Sequence, residues 1–233
     1  MKSFRWKAWA GLFSAGVLAY LLAYLLVAAV WAWSTFDAAI ARFIPLPDLP
    51  LSARQVDILT QVEDPAFATH HGISLGDGQG LVTISGALAR DVYLGGNDVD
   101  GVAGKLQRLY RRIHDCCKKI DLGRDVMAVV LDARLSKERQ LALYASQVYM
   151  GTHDGRQLRG LPQAALAYLG KPLAAATDRD FIGLAAMIKA PNHYHPTRNP
   201  AAWSIRVGRV TALVAGTCQA SGWFDTQLEG CAR

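Results

Sequence analysis

The densest chemistry in the chain lies in one run: Glu63-Asp64-Pro65-Ala66-Phe67-Ala68-Thr69-His70-His71-Gly72. Two adjacent carboxylates are followed by an aromatic ring, two imidazoles and a glycine. A carboxylate held in a cleft can take a proton from a hydroxyl, whereas one on a solvated face does no such work. An adjacent Glu-Asp pair is ordinarily a surface acidic pair and a cap, but the local signals put Glu63 at a corner from which it can point into a cleft. Ser52 and Gln55 have capping-box spacing, which starts a helix. Val56, Leu59 and Val62 recur at helical spacing and face a core. Pro65 disfavours the helical conformation at Asp64, so the helix stops near Glu63. Asp64 is then expected as N-cap, and Pro65 as first residue, of a short second helix that Gly72 ends. Glu63 falls at the corner between them.

The elements that position this corner follow from composition and pattern. The chain has 233 residues, 52% of them hydrophobic, and a net charge of +6. That is enough for a membrane segment and one domain with a core. The positive balance suits anionic lipid or a phosphate-bearing substrate. No dense run of Lys and Arg with interleaved aromatics occurs, so no nucleic-acid partner is expected. No residue from Ala8 to Trp33 is charged. At about 1.5 Å per residue such a helix exceeds a hydrocarbon core of ~30 Å, and it is too long for a signal-peptide core. Lys2, Arg5 and Lys7 precede it and Asp37 is the first charge after it. The expected orientation has the N-terminus cytoplasmic and the remainder outside, with Trp6, Trp9, Trp31 and Trp33 near the interfaces.

Beyond the anchor, Pro45, Pro47 and Pro50 mark an extended connector. Gly76 to Gly80 reads as a loop and not as a phosphate-binding motif, since no Gly-Lys-Ser/Thr follows. Helices are expected over 83–94, 102–120, 126–135, 136–150, the stretch ending at Gly170, 178–190 and 201–215. In the second of these, Leu106, Leu109, Ile113 and Cys117 share one face. Arg108, Arg111, Arg112, Lys118 and Lys119 make the other face basic, suited to solvent or to phosphate. No strand alternation stands out, so the domain reads as mainly α and free of repeats. Of four cysteines, Cys116 and Cys117 read as small helical residues, while Cys218 and Cys231 can pair if the domain is extracytoplasmic. No metal-ligand spacing occurs. His193 and His195 would need further ligands to hold a metal. Tyr144 and Tyr149 read as core residues.

The opening run resembles the first signature of glycosyltransferase family 51, the peptidoglycan glycosyltransferases: Glu-Asp-x-x-Phe-x-x-His-x-Gly. Glu63, Asp64, Phe67, His70 and Gly72 fill every fixed position. Gly80, Thr83, Ile84 and Leu88 match the second motif, with Ser85 and Arg90 as conservative replacements. Its Gln-Gln pair is Gly86-Ala87 here. Arg124 stands where the third motif carries the family's second glutamate. Leu131-Asp132-Ala133-Arg134-Leu135-Ser136-Lys137 resembles the fourth motif, and Tyr144 to Gly151 the fifth. Arg159-Gly160, Tyr168, Gly170-Lys171 and Pro191 to Pro200 follow in family order. The similarity covers about residues 52–215. It is closest to the glycosyltransferase modules of class A penicillin-binding proteins, in a layout like that of a short monofunctional enzyme.

This resemblance implies a lysozyme-like, mainly α glycosyltransferase domain. The expected division is an anchor over residues 1–35, the domain over 36–216 and a tail over 217–233. The implied reaction polymerises lipid II into β-1,4 glycan strands with release of undecaprenyl diphosphate, for cell-wall biogenesis at the bacterial plasma membrane. Glu63 is the expected general base. Asp64, Phe67, His70, Thr83, Ser85, Arg90 and Lys137 are the expected substrate-binding set, with Arg90 and Lys137 toward the diphosphate and His70 able to serve as a structural residue instead. No cofactor is assigned beyond a divalent cation, magnesium or manganese, that the diphosphate could bring. The expected partners are lipid II, the growing glycan strand, the membrane and other cell-wall synthases. The losses at Gly86-Ala87 and Arg124 also suit a degenerate relative that binds lipid II or a synthase without turnover. A hydrolase would need a second carboxylate across the bond.

Overall fold

The structure is a computed structural model and describes residues 2–48, 50–75, 78–80, 82–96, 98–114 and 121–231. One long helix, α1 (Lys2–Ile40), leads into a helical domain. Its apolar stretch, which starts at Leu12 and runs on through a short turn to Phe43, has a mean hydropathy of 2.2 over an 18-residue window and is long and apolar enough to cross a membrane. Leu12, Phe13, Val17 and Tyr20 are exposed, as lipid-facing side chains would be, whereas Ala32, Phe36, Ala39 and Ile40 are buried in the domain core. The apolar helix is thus continuous with the domain. Trp31 Nε1 donates to Ala103 O at 3.0 Å, and Arg134 pairs with Asp37 at 2.9 Å while its guanidinium lies over the Trp33 and Phe36 rings.

The domain's helices are α2 (Ala53–Glu63), α3 (Ile84–Ala89), α4 (Gly101–His114), α5 (Leu122–Arg134), α6 (Lys137–Gln147), α7 (Leu161–Leu169), α8 (Asp178–Ile188) and α9 (Pro200–Val214). Local chemistry sets their ends. Ser52 and Gln55 form the expected capping box on α2; Thr83, Ser136 and Asn199 cap α3, α6 and α9. A second capping box, Thr177 with Asp180, opens α8. The core is built from Ile58 and Leu59 of α2, Ile84 and Leu88 of α3, Met127 and Leu131 of α5, Leu143 of α6 and Phe181 and Leu184 of α8.

Several expectations need correction. After Asp64 the chain makes turns, not a helix, because the Asp64 carboxylate is spent elsewhere. A short antiparallel hairpin, β1 (Tyr149–His153) and β2 (Arg156–Arg159), follows α6. Gly155, with φ of +75°, lies at its turn, which a reading centred on helical spacing overlooked. The α3 helix passes into a single π-helical turn, Arg90–Leu94. Leu106, Leu109 and Ile113 of α4 do not enter the core. They stay half-exposed and line an apolar cavity of about 540 Å³ against Tyr20, Tyr24 and Trp31 of α1. On the basic face, Arg108 and Arg111 both pair with Asp98. Cys116, Cys117, Lys118 and Lys119 lie outside the described residues.

Gly72 shows how tightly the first motif is seated. Its φ is +91°, and a Cβ there would lie 2.6 Å from the Ala128 and Val129 backbone. Gly72→Ala therefore combines left-handed strain with a backbone clash and should destabilise the domain by roughly 2–4 kcal/mol. Chemical denaturation of the detergent-solubilised protein measures this; a loss below about 0.5 kcal/mol would contradict the seating described.

Candidate active site

Asp64 is wholly buried. Its Oδ2 accepts from the Ile84 N–H at 2.8 Å, tying the end of α2 to the first turn of α3. The same carboxylate lies 3.0 Å from His70 Nε2. Gly72 N–H donates to His70 Nδ1 at 3.0 Å, so Nδ1 is the acceptor and Nε2 carries the proton donated to Asp64. Burial pushes the Asp64 carboxyl up, and the His70 and Ile84 bonds pull it back. Behind it, Lys137 Nζ donates to His70 O at 2.8 Å, pairs with Asp132 at 2.6 Å and lies over the Phe67 ring. Asp64, Phe67, His70 and Lys137 therefore form a closed cluster that stiffens the corner.

The neighbouring side chain faces the other way. Glu63 lines a cleft of about 410 Å³ between α2, α3, α6, α8 and α9. Tyr144 Oη donates to Glu63 Oε2 at 3.3 Å. Burial pushes the Glu63 carboxyl up to about 7 from an ordinary 4.5, against the pull of Arg206, Lys189 and the Tyr144 hydroxyl. Four cationic residues line the same cleft: Arg90, Arg159, Lys189 and Arg206. Arg206 is buried, and its Nη1 donates to Thr226 O at 3.0 Å. Arg90 is exposed beside Asp91, the second carboxylate of the lining, at 3.4 Å.

The structure thus brings together three of the predicted site residues, Glu63, Thr83 and Arg90. Thr83 lines the cleft, but its hydroxyl is engaged, donating to Gly72 O and accepting from Gly86 N–H. Ser85 is buried away from the cleft and donates to Gln140 Oε1 at 2.6 Å. Phe67, His70 and Lys137 lie behind the cleft, not in its lining. Tyr144, read as core, is buried in the core cluster and also reaches the cleft, whereas Tyr149, read as core too, lines the cleft and is outside that cluster. Lys189 and Arg206 were missed because each lies far along the chain from the acid and has no local pattern around it, and Arg159 was noted as a motif position but not as a site residue. Arg124, at the position of the family's second glutamate, is buried in an ion pair with Asp125 at 2.7 Å and is not part of the lining.

Among the described residues no group of three or more His, Cys, Asp or Glu could hold a metal ion. Glu63 and Asp91 are the acids of the lining. These residues do not fit a resident divalent-cation site.

The transglycosylase family matches residues 35–215, which takes in the helices around this cleft and all of its lining except Thr226. The chain belongs to the transglycosylase family. The membership implied by the motifs is therefore shown, and with it a lysozyme-like glycosyltransferase domain. The chain is 32% identical to penicillin-binding protein 1B of Escherichia coli over 164 residues, 68% of this chain and 18% of that protein. It is 29% identical to penicillin-binding protein 1B of Haemophilus influenzae over 160 residues, 67% of this chain and 19% of the relative. With penicillin-binding protein 1F of Bacillus subtilis it shares 29% over 160 residues, 67% of this chain and 21% of the relative. The chain thus spans about a fifth of the length of these relatives.

A carboxyl group raised by folding binds protons more tightly in the native state. Glu63 therefore adds stability below pH 4.5, and this is lost as pH rises through about 7. Glu63→Gln removes that loss. The variant should gain on the order of 2–3 kcal/mol over wild type at pH 8, and much less at pH 5. Urea unfolding at the two pH values tests this; a variant equally or less stable at pH 8 would show that the carboxylate is not desolvated.

Proposed function

We propose that this transglycosylase-family chain is a membrane-anchored peptidoglycan glycosyltransferase acting on lipid II. The observation that carries the reading is the placement of Glu63, a carboxylate titrating near neutrality on one wall of a cleft whose other walls are cationic. A sugar hydroxyl is a weak nucleophile, and a base with a pKa near the working pH is well suited to take its proton. The acceptor oxygen attacks the donor's anomeric carbon, the hydroxyl proton passes to Glu63, and the bond to the diphosphate breaks. Attack from the face opposite the leaving group inverts the anomeric centre, which yields a β-1,4 link.

The departing diphosphate gains negative charge, and preorganised cations are worth most where such charge develops. Arg90, Arg159 and Lys189 line the cleft and suit this role. Arginine presents a planar fork that matches phosphate oxygens. Lys137 is withdrawn from it, because its ammonium is already held by Asp132, the His70 carbonyl and the Phe67 ring. The long apolar helix α1 would hold the cleft at a bilayer surface, where a lipid-linked donor resides. We place its N-terminus in the cytoplasm and the cleft outside the plasma membrane, from the positive charge of Lys2, Arg5 and Lys7.

A second reading, a relative that binds lipid II or a partner synthase without turnover, draws on Arg124. Its guanidinium occupies an internal ion pair where the family has an acid. Polymerisation of fluorescent lipid II, resolved by gel, separates the two. Wild type should make glycan chains, and Glu63→Gln should lose at least about a thousandfold in rate while still binding lipid II. Wild type that binds lipid II but makes no polymer would favour the second reading. Undiminished synthesis by Glu63→Gln would remove the mechanism.

A further inference from the structure

Residues 217–231 lie beyond the family match, yet they build part of the cleft. Cys218 and Cys231 form a disulfide that closes this segment into a loop. Inside the loop, Asp225 gathers the backbone. Its Oδ2 accepts from the N–H groups of Ser221 and Gly230 at 2.9 and 3.0 Å, and its Oδ1 from the Glu229 N–H at 2.6 Å. Leu228 and Cys231 are buried against the domain.

The loop touches the site from two sides. On one, Gly222 O and Trp223 O accept from the N–H groups of Gly78 and Gly80, at 3.0 and 2.8 Å. These glycines flank Gln79, and the contact reaches the cleft wall, since Gly78, Gln79 and Thr226 line it. A Cβ at Gly78 would lie 2.8 Å from Ala220 Cβ, and one at Gly80 2.9 Å from Thr226 Cγ2, so the approach leaves no spare room. On the other side, Thr226 O accepts from Arg206 Nη1, and Gln227 O from Arg209 Nη1 at 2.9 Å. The Arg206 guanidinium is otherwise enclosed: it lies 5.8 Å from the Tyr194 ring centroid, and its Nε is buried without a hydrogen-bond partner. A buried guanidinium with one unmatched donor stays where it is only while its other bonds hold it.

We propose that residues 217–231 are a disulfide-closed strap whose job is to hold Arg206 in the wall of the cleft that Glu63 lines. The Thr226 carbonyl is the direct hold, Asp225 shapes the turn that presents it, and the Cys218–Cys231 bond keeps the turn closed. The inference rests on the reading of Glu63 as the base. Arg206 is a positioning residue here, acting on the substrate only through the proton affinity of Glu63. The titratable and charged groups that share the cleft with Glu63 are Arg206 from α9, Lys189 after α8, Tyr144 from α6, Arg90 and Asp91 after α3, and Tyr149 and Arg159 of the hairpin, while Asp64 beside it points inward. Arg206 opposes the Glu63 proton most strongly among them, and it is the one that the Thr226 carbonyl holds. When the strap opens, this favourable charge moves off the base and Glu63 holds its proton to higher pH. Reduction of the disulfide then lowers turnover at neutral pH without removing any group that contacts the substrate.

The test follows the Glu63 titration by carboxyl-selective carbon NMR on the full chain in detergent micelles, with Glu63→Gln assigning the signal. Three samples are compared: oxidised wild type, wild type reduced with dithiothreitol, and Cys218→Ser/Cys231→Ser. The reductant supplies two electrons and two protons to the Cys pair and becomes a cyclic disulfide itself. The Glu63 midpoint is expected to move upward in the second and third samples, and polymerisation at pH 7 to fall severalfold in both. A strap that only adds stability would lower the melting temperature and leave the midpoint in place, which would overturn the proposal. Should the opened forms unfold, Asp225→Asn with the disulfide intact weakens the turn alone; an unmoved midpoint there overturns it equally. The titration needs no turnover. A chain that makes no polymer therefore fails the functional reading, while the midpoint shift still decides whether the strap holds Arg206.

Discussion

The bond from the Ile84 N–H to the Asp64 carboxylate is the constraint on which the site depends. It closes the gap between the end of α2 and the start of α3, elements separated by a long loop. Burying a carboxylate so completely is costly unless its oxygens are matched. Ile84 and the His70 Nε2–H match them, and the Gly72 N–H fixes the His70 tautomer that makes this possible. Once Asp64 is committed inward, the preceding residue must emerge on the opposite side of the chain. Glu63 faces the cleft because Asp64 does not.

Two adjacent acids are thereby given different lives. Asp64 is surrounded by hydrogen-bond donors and serves structure. Glu63 accepts from the Tyr144 hydroxyl, sits in a poorly solvated wall, and is balanced between burial, which favours its proton, and Arg206 and Lys189, which oppose it. Neither influence alone would leave a carboxyl near neutrality. On the proposed reading the cleft's cations have two uses: Arg90, Arg159 and Lys189 suit a diphosphate, while Arg206 and Lys189 also oppose the proton on Glu63. A tuning residue held by a segment outside the family match would give a shared catalytic corner its own local control.

Much of this was legible from sequence where the deciding physics is local. The Ser52–Gln55 box, the break at Pro65 and the apolar spacing of Val56, Leu59 and Val62 set α2 and the position of Glu63 at its end. The long apolar helix α1 was legible from its uncharged length. What failed was long-range. The expected cap at Asp64 did not form because a distant N–H, at Ile84, competes better for the carboxylate than the chain's own next turn. Lys137 matched its motif yet points into the Asp132 and His70 cluster, since a motif fixes residue type and not side-chain direction. Lys189, Arg159 and Arg206 come from three separate parts of the chain, and only tertiary packing gathers them. The α4 stripe was periodic as expected, but periodicity reports an apolar face without saying whether protein or lipid covers it. Here it borders a cavity against the long apolar helix α1.

The most direct test of the central claim is the pH dependence of single-turnover polymerisation of lipid II by the wild-type chain. If one carboxylate tuned to about 7 removes the proton, the rate should fall about tenfold per pH unit on the acid side, with a single inflection near neutrality. A rate that stays level down to about pH 5 would mean that the proton goes elsewhere, and that Glu63 is not the base.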